Sequence, residues 1–202
     1  MFFDVKSVFS HNIISTVIDG IDHNEIADEL KIQKYNITHE LHEGCFLSES
    51  KNILVKFPKL KEKIYDAFSY VLHEIYEFSG DFDFKITSSW GTKTEPGSFS
   101  HIHHHSNCWF SAVYYPKKIS GGIEFYNPHR QTFYISSSPL IQKSFSVKSD
   151  VDGSLVIFPH YIQHQVKRND DLNDRYSIAL NIVPTGTYGH ADNIVTNLSV
   201  NS

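Results

Sequence analysis

The sequence predicts a mainly β fold, in which helices at the N-terminal end support a jelly roll or β-barrel. From residue 84 onward, short runs rich in β-branched and aromatic residues follow one another, separated by turn sequences such as "EPG", "SGG" and "VDG". Before that point, the longest helical signal lies at roughly 59 to 78, where apolar residues recur at helical spacing. The recurring residues are Leu60, Ile64, Phe68, Val71, Leu72 and Ile75.

The other elements follow from local patterns. "DVKSVF" at residues 4–9 predicts a strand, and "DHNEIADEL" predicts a short helix with Asp22 as its N-cap and Glu25 in capping-box position. Six later runs predict strands: "FKITSSW", "CWFSAVYYP", "GIEFYN", "QTFYIS", "SLVIFP" and "RYSIALNIV". We expect one domain over residues 1–202, with a support at 1–83, a β core at 84–186 and a loosely held polar tail at 187–202.

Composition limits the classes of function. The chain has 202 residues, 40% of them hydrophobic, and a net charge of −5, which indicates a globular protein and argues against nucleic acid or an anionic membrane as partner. The sequence has no run of about 18 apolar residues, and charges appear early, so we expect neither a membrane span nor a signal peptide. Cys45 and Cys108 lie far apart, which favours a reducing cytoplasm.

Residues 100–109, "SHIHHHSNCW", contain a cluster of histidines. A metal site, a pH-sensitive surface and chance are the alternatives. On a strand, side chains two residues apart share a face, so His103 and His105 can converge on one ion. His104 then points to the opposite face, whereas His101 has the same parity and could replace one of the pair.

His164 is the best candidate for a third ligand. It follows the apolar run "SLVIFP", which Pro159 ends, and it begins the next strand. A jelly roll would bring that strand beside His103 and His105. His160 competes with His164, but it lies at the turn.

The run "RYSIALNI" has two faces. Alternation places Arg175 and Ser177 opposite a set of residues that should pack against a core layer. A buried arginine needs an anion, and its planar fork matches a carboxylate, to which Ser177 can donate a further hydrogen bond. An exposed salt bridge is the alternative. The core-facing set is Tyr176, Ile178, Leu180 and Ile182, while Ala179 and Asn181 share the face of Arg175.

The region from about 84 to 183 resembles the iron(II)- and 2-oxoglutarate-dependent oxygenases, and it looks most like those of phages and marine bacteria, which are similar to prolyl hydroxylases. The stretches that carry the resemblance are "SSWGTKTEPGSFSHIHHHSNCWFSAVYYP", "GGIEFYNP", "GSLVIFPHYIQHQV" and "RYSIALN". The resemblance implies a double-stranded β-helix, a jelly roll similar to the cupin barrel. It also implies a dioxygenase that uses Fe(II), 2-oxoglutarate and O2, releases succinate and CO2, and hydroxylates an unidentified protein side chain or small molecule.

The resemblance also assigns residues. His103 and His164 match iron ligands, and Arg175 and Ser177 match the residues that hold the distal carboxylate of 2-oxoglutarate. Tyr115 matches a tyrosine that contacts this co-substrate in prolyl hydroxylases. The family usually has Asp or Glu as the second member of its first pair. This chain has His105 there, which we expect to be the third ligand, in a site with one more unit of positive charge.

Two other functions fit parts of the pattern. A cupin-type metalloprotein, either an isomerase or a 2-oxoglutarate-independent dioxygenase, would share the spacing of the histidines. Cupins have a glutamate shortly after the first pair of histidines, and "SNCWFSAV", which follows His105, contains none. A cupin would also give Arg175 and Ser177 no role. A non-catalytic metal- or ligand-binding barrel is the other alternative. Four aromatic residues could line a substrate pocket, with core packing as the favoured role for at least two of them: Trp90, Trp109, Phe125 and Tyr126.

Overall fold

The computed structural model describes residues 11–37, 44–78, 82–127, 144–188, 192 and 195–199. Within these residues, the helices are α1 (His23–Lys31) and α2 (Pro58–Tyr70), with a 3₁₀ turn at Ile53–Lys56 and a π-helical turn at Val71–Ile75. The strands are β1 (Ile14–Val17), β2 (Tyr35–Ile37), β3 (Cys45–Ser48), β4 (Phe82–Thr94), β5 (Phe110–Tyr115), β6 (Ile123–Tyr126), β7 (Ser144–Val147), β8 (Ser154–Pro159), β9 (His164–Val166), β10 (Arg175–Tyr188) and β11 (Val195–Leu198).

The strands form two antiparallel sheets. The larger sheet has the order β1-β8-β5-β10-β4-β3-β2, with β11 also paired to β10, and the smaller has the order β7-β6-β9. The long strands β4 and β10 lie side by side from the pair Arg175–Thr94 to the pair Gly186–Phe82. This arrangement confirms the predicted mainly β jelly roll, the double-stranded β-helix.

The larger sheet has a different apolar layer on each face. Leu180 of β10 belongs to the cluster that also contains Leu30 of α1 and Phe68 of α2, so the helices cover this outer face. Ala179, the neighbour of Leu180, belongs to a second cluster, which includes Phe125 of the smaller sheet. The predicted alternation along β10 is therefore confirmed, and the inner face lies between the two sheets.

The long helix predicted at 59–78 changes its form near its end. It begins at Pro58, and after Tyr70 it widens into the π-helical turn, where the Tyr76 amide donates to the Val71 carbonyl at 3.0 Å. A wider turn shifts the helical period. Ile75 is consequently 42% exposed, and Tyr76 packs against the core instead. The prediction that Ile75 belongs to the buried stripe was wrong for this reason.

The N-cap of α1 is the one that the sequence predicted. The Asp22 carboxylate accepts hydrogen bonds from the amides of Asn24 at 2.9 Å and Glu25 at 3.2 Å. These bonds satisfy two amides of the first turn and fix the start of the helix. Ile26 and Leu30 then face the sheet and are buried.

Several strands were not predicted. Strands β1, β2 and β3 extend the larger sheet at its edges, and β11 pairs with β10 within the segment expected to be a polar tail. The strands predicted at residues 4–9 and 131–136 lie outside the described residues, as does the sequence "SGD" at 79–81, which we expected to end the long helix. Each helix in the described part of the chain is too short or too polar to span a bilayer.

Candidate metal centre and co-substrate pocket

His103 and His164 are joined through their backbones. The His103 amide donates to the His164 carbonyl at 3.0 Å, and the His164 amide donates to the His103 carbonyl at 2.8 Å. This isolated antiparallel bridge places the two ring centroids 4.4 Å apart. The regular antiparallel pairing does not continue after this bridge. The His105 amide donates instead to the carbonyl of His160, at 3.1 Å. The segment around His103 is thus a single bridge rather than the regular strand that we expected.

The three predicted histidines nevertheless converge. Each of His103, His105 and His164 offers one ring nitrogen that lies within 4.8 Å of the other two. The ring centroid of His105 is 5.5 Å from that of His103 and 5.2 Å from that of His164. His104 and His101 are exposed at the surface and are not members of this group.

The backbone orients two of the rings. The Nδ1 of His103 lies 2.8 Å from the His101 carbonyl, and the Nδ1 of His164 lies 3.0 Å from the Ile162 carbonyl. A carbonyl only accepts, so both Nδ1 atoms carry the proton and both Nε2 atoms have a free lone pair. His160, the competing candidate, instead donates from its Nδ1 to the His105 carbonyl at 3.0 Å and thereby supports the loop.

Burial keeps the imidazoles neutral. It lowers the pKa of His164 to about 3 and the pKa of His105 to about 4, and the proximity of the positively charged form of His103 lowers both further. Burial also lowers the pKa of His103. Neutral imidazole is the form that binds metal, and three such nitrogens suit a first-row divalent ion such as Fe(II).

The inner wall of the larger sheet contains two buried polar groups without partners. Arg175 is 5% exposed, and its Nη2 donates to the Lys167 carbonyl at 3.0 Å. Its Nη1 and the hydroxyl of the fully buried Tyr115 have no hydrogen-bond partner among the described residues. Unpaired buried polar groups are rare and costly, so this pair indicates a place for an anion.

Electrostatics fit an anion here as well. Burial lowers the pKa of Arg175, because removal from water disfavours its charged form. Within the described ranges, no carboxylate forms an ion pair with it. Burial raises the pKa of Tyr115 to about 12, so its phenol remains protonated and able to donate. A carboxylate could accept hydrogen bonds from both groups.

Ser177 is buried beside Arg175 and has a partner that sequence reasoning missed. Its hydroxyl forms a short hydrogen bond with the hydroxyl of Thr92, which lies opposite it in the pairing of β10 with β4. Strand alternation in "WGTKT" places Thr92 on the same face as Trp90 and could have identified it. The two hydroxyls carry two protons, and the hydrogen bond between them uses one. The other proton can be donated to a ligand.

Aromatic rings surround the histidines. The ring of Phe158 lies 4.6 Å from that of His164, the ring of Phe125 lies 5.9 Å from it, and Trp90 lies 5.8 Å from His105. These contacts confine the triad within an apolar shell. Trp90 and Phe125 are therefore beside the site, as expected.

The other two predicted pocket residues have different surroundings. Trp109 is 42% exposed and its ring lies 5.4 Å from that of Tyr188. The hydroxyl of Tyr126 bonds Glu124 at 3.0 Å and Gln165 at 2.7 Å.

Comparisons with known proteins show which sequences and folds this chain resembles. A search of curated proteins gave no significant match. Residues 88–181 match the profile of a family described as "Putative 2OG-Fe(II) oxygenase". The matched segment contains all six predicted site residues, namely His103, His105, Tyr115, His164, Arg175 and Ser177.

Solved structures share the fold at low sequence identity. HygX from Streptomyces hygroscopicus, solved with nickel, 2-oxoglutarate and hygromycin B, has a TM-score of 0.60 at 12% identity, covering 87% of this chain and 84% of that one. A prolyl hydroxylase from Trichoplax adhaerens, in complex with a hypoxia inducible factor peptide fragment, has a TM-score of 0.58 at 14% identity, covering 85% and 82%. A prolyl-4-hydroxylase from Pseudomonas putida has a TM-score of 0.55 at 14% identity, covering 86% and 93%.

The structural likenesses establish the double-stranded β-helix, and the profile match shows which family residues 88–181 resemble. Fe(II), 2-oxoglutarate and O2, which the sequence analysis predicted, are the cofactors of that family's reaction. Through residues 88–181, this chain is thus similar to the 2OG-Fe(II) oxygenases.

Proposed function

We propose that the protein is a hydroxylase in which His103, His105 and His164 bind the iron, and Arg175 and Tyr115 bind the distal carboxylate of 2-oxoglutarate. One observation carries the proposal. Three neutral imidazoles converge between the two sheets, and the inner wall beside them contains two buried polar groups that lack partners. Ser177 completes the carboxylate site through its hydroxyl.

At the metal end, the chain contributes orientation and charge. Bound iron supplies the activation of O2, with 2-oxoglutarate converted to succinate and CO2 as the source of electrons. The carbonyls of His101 and Ile162 hold the rings of His103 and His164, so two ligands need no rearrangement. Three neutral ligands leave the full charge of the ion uncompensated, which favours the dianionic co-substrate.

At the other end, the pocket selects a carboxylate. The planar fork of Arg175 has one nitrogen fixed on the Lys167 carbonyl and one nitrogen free to donate. Tyr115 donates its phenol proton, which its raised pKa retains. The Ser177 and Thr92 pair adds a hydroxyl from the adjacent position of the wall.

The apolar shell limits access of water to the reacting atoms. Phe125 and Phe158 are buried and contact the ring of His164. Their rings keep the local dielectric low, which strengthens the electrostatic contacts described above.

The substrate class stays open within the proposal. HygX was solved with hygromycin B and the Trichoplax enzyme with a peptide fragment, so a protein side chain and a small molecule both suit this fold. SnoN, with a TM-score of 0.63, is described as an epimerase, so product analysis is needed to establish hydroxylation. Two free thiols, at Cys45 and Cys108, support a cytoplasmic location. A phage origin rests on the resemblance alone.

The test is binding and turnover with purified protein. We expect one Fe(II) per chain, 2-oxoglutarate binding that depends on the metal, and succinate formation that needs Fe(II), 2-oxoglutarate and O2 together. A metal-loaded protein that binds no 2-oxoglutarate would contradict the proposal and favour a cupin-type protein or a non-catalytic barrel.

A metal-bound crystal structure tests His105 separately. We expect one of its ring nitrogens at about 2.0–2.2 Å from the ion. Water or another side chain in that position would remove His105 from the ligand set. His105→Asp recreates the family's commoner triad and should retain Fe(II) binding.

A further inference from the structure

A row of paired residues crosses the smaller sheet from the proposed metal site to the edge strand β7. The row begins at the bridge between His103 and His164. His164 is paired with Phe125 of β6, and Phe125 is paired with Phe145 of β7. Residues directly opposite each other in antiparallel strands point to the same face of the sheet. Phe145 therefore shares the face of the two proposed ligands, and it lies two strands from His164, or about 10 Å at the usual spacing between strands.

The contacts of its neighbours also place Phe145 on this inner face. Val147 is two residues further along β7, has the same parity, and packs against the inner apolar cluster. Ser144, which has the opposite parity, donates from its hydroxyl to the carboxylate of Glu124 at 2.8 Å. The strand thus has a polar outer face and an apolar inner face.

Phe145 differs from Phe125 in its exposure. Phe125 is 3% exposed, and its ring lies 5.0 Å from that of Phe158 in the larger sheet. Phe145 is 50% exposed, so the larger sheet covers the row at Phe125 but leaves much of the next ring open to solvent. An aromatic ring offers a large apolar contact area at small cost in conformational freedom. The face that carries the ligands therefore ends in an apolar surface that a bound molecule can cover.

We propose that Phe145 belongs to the substrate site and selects substrates that have an uncharged apolar group near the carbon that reacts. A substrate must place that carbon at the metal, and the row leads from there to Phe145. An apolar group that covers the ring removes both surfaces from water, which stabilises the complex. A carboxylate or phosphate in the same position would lose hydration without gaining a hydrogen-bond partner from the ring. The inference rests on the proposed function, because it takes His103 and His164 to hold the metal.

The test uses fluorobenzene as a small apolar probe and measures its binding by fluorine NMR, so that it does not depend on turnover. The protein is loaded with Mn(II) and 2-oxoglutarate, because Mn(II) broadens the signal of a probe bound near it. Protein loaded with Zn(II) gives the binding without this broadening. We expect Phe145→Ser to weaken fluorobenzene binding about tenfold, or about 1.4 kcal/mol. Phe145→Leu keeps an apolar side chain and should retain most of the affinity.

Phe99 provides a matched control. It is 45% exposed, but it lines a groove on the outer face of the smaller sheet together with Glu124 and Gln165. Phe99→Ser should leave both the affinity for fluorobenzene and the broadening by Mn(II) unchanged. Circular dichroism checks that each variant is folded.

Three results would overturn the inference: unchanged binding in Phe145→Ser, an equal loss in Phe99→Ser, or a wild-type signal that Mn(II) does not broaden. Each of these leaves the proposed function standing if the protein binds Mn(II) and 2-oxoglutarate. A wild type that binds neither would overturn the proposed function together with the inference.

Discussion

His103 and His164 exchange both of their amide hydrogen bonds, at 3.0 and 2.8 Å, so the backbone fixes these two imidazoles relative to each other. The same residues direct their Nδ1 protons to backbone carbonyls. Two of the three proposed ligands are thus oriented by the fold itself. This preorganisation should make the metal site sensitive to loss of either ring and insensitive to changes at the surface.

We expect His103→Ala and His164→Gln each to abolish stoichiometric Fe(II) binding while the protein remains folded. Each variant removes one nitrogen from a set of three, and glutamine keeps most of the volume of the buried His164. Anaerobic calorimetry measures the binding, and circular dichroism measures the fold. The exposed His104 provides the control, since His104→Ala should bind like wild type. Full affinity in either ligand variant would exclude that residue from the site.

Arg175→Ala should weaken 2-oxoglutarate binding by roughly 30-fold or more and leave metal binding intact. Loss of one partner of a desolvated charge pair costs about 2–5 kcal/mol, and each tenfold change corresponds to about 1.4 kcal/mol. Arg175→Lys should recover only part of the affinity, because an ammonium lacks the planar fork. Titration of 2-oxoglutarate into Mn(II)-loaded protein measures these changes. Arg168→Ala, at an exposed arginine, is the control. Equal affinities throughout would remove the carboxylate site.

Tyr115→Phe should have opposite effects on binding and on stability. Its hydroxyl is buried without a partner, so its removal should raise the free energy of unfolding of the protein without 2-oxoglutarate by about 1–3 kcal/mol. The same change should weaken 2-oxoglutarate binding by about tenfold, the value of a hydrogen bond to a charged group. Urea denaturation and calorimetry measure the two quantities.

The adjacent Tyr114 supplies a matched control. Its hydroxyl is 2.7 Å from the Nδ1 of His23 and faces the helices. Tyr114→Phe should therefore lower the free energy of unfolding and leave 2-oxoglutarate affinity unchanged. If Tyr114→Phe and Tyr115→Phe change the free energy of unfolding and the 2-oxoglutarate affinity in the same way, Tyr115 does not bind the co-substrate.

The metal-free protein should lose stability as the pH falls from about 6.5 towards 4. His105 and His164 have lowered pKa values, of about 4 and about 3, against a value of 6.5 for an exposed histidine. In that range the unfolded chain binds more protons than the folded one, so the free energy of unfolding decreases as the pH falls. Urea denaturation at several pH values measures the slope. His164→Gln should reduce it, and an unchanged slope would contradict the lowered pKa.

Features that depend on local alternation could be predicted from the sequence. The faces of β10, the Asp22 cap and the shared parity of His103 and His105 follow from periods and spacings within short segments. The roles given to Tyr115 and Ser177 came from the resemblance to a family, because no local pattern distinguishes a co-substrate residue from a core residue.

Features that depend on which strands become neighbours could not be predicted. The contact of Asn181 with Ser111 requires β10 to lie beside β5, and a pairing between such distant segments leaves no local signal. The edge strand β1 could not be predicted, because most of its side chains are exposed and apolar and polar residues do not alternate along it. The π-helical turn at Val71–Ile75 could not be predicted, because the apolar spacing of the sequence continues through it as in an ordinary α-helix.

The pairing of β1 with β8 affects when, during synthesis of the chain, the metal site can form. Ile14, near the start of the chain, lies opposite Ile157, and β8 ends shortly before His164. Chains dominated by such distant pairings fold slowly, on the order of milliseconds to seconds. The ribosome must therefore release most of the polypeptide before the ligands can assemble. We expect iron to be acquired after synthesis, by a chain that has already closed its sheets.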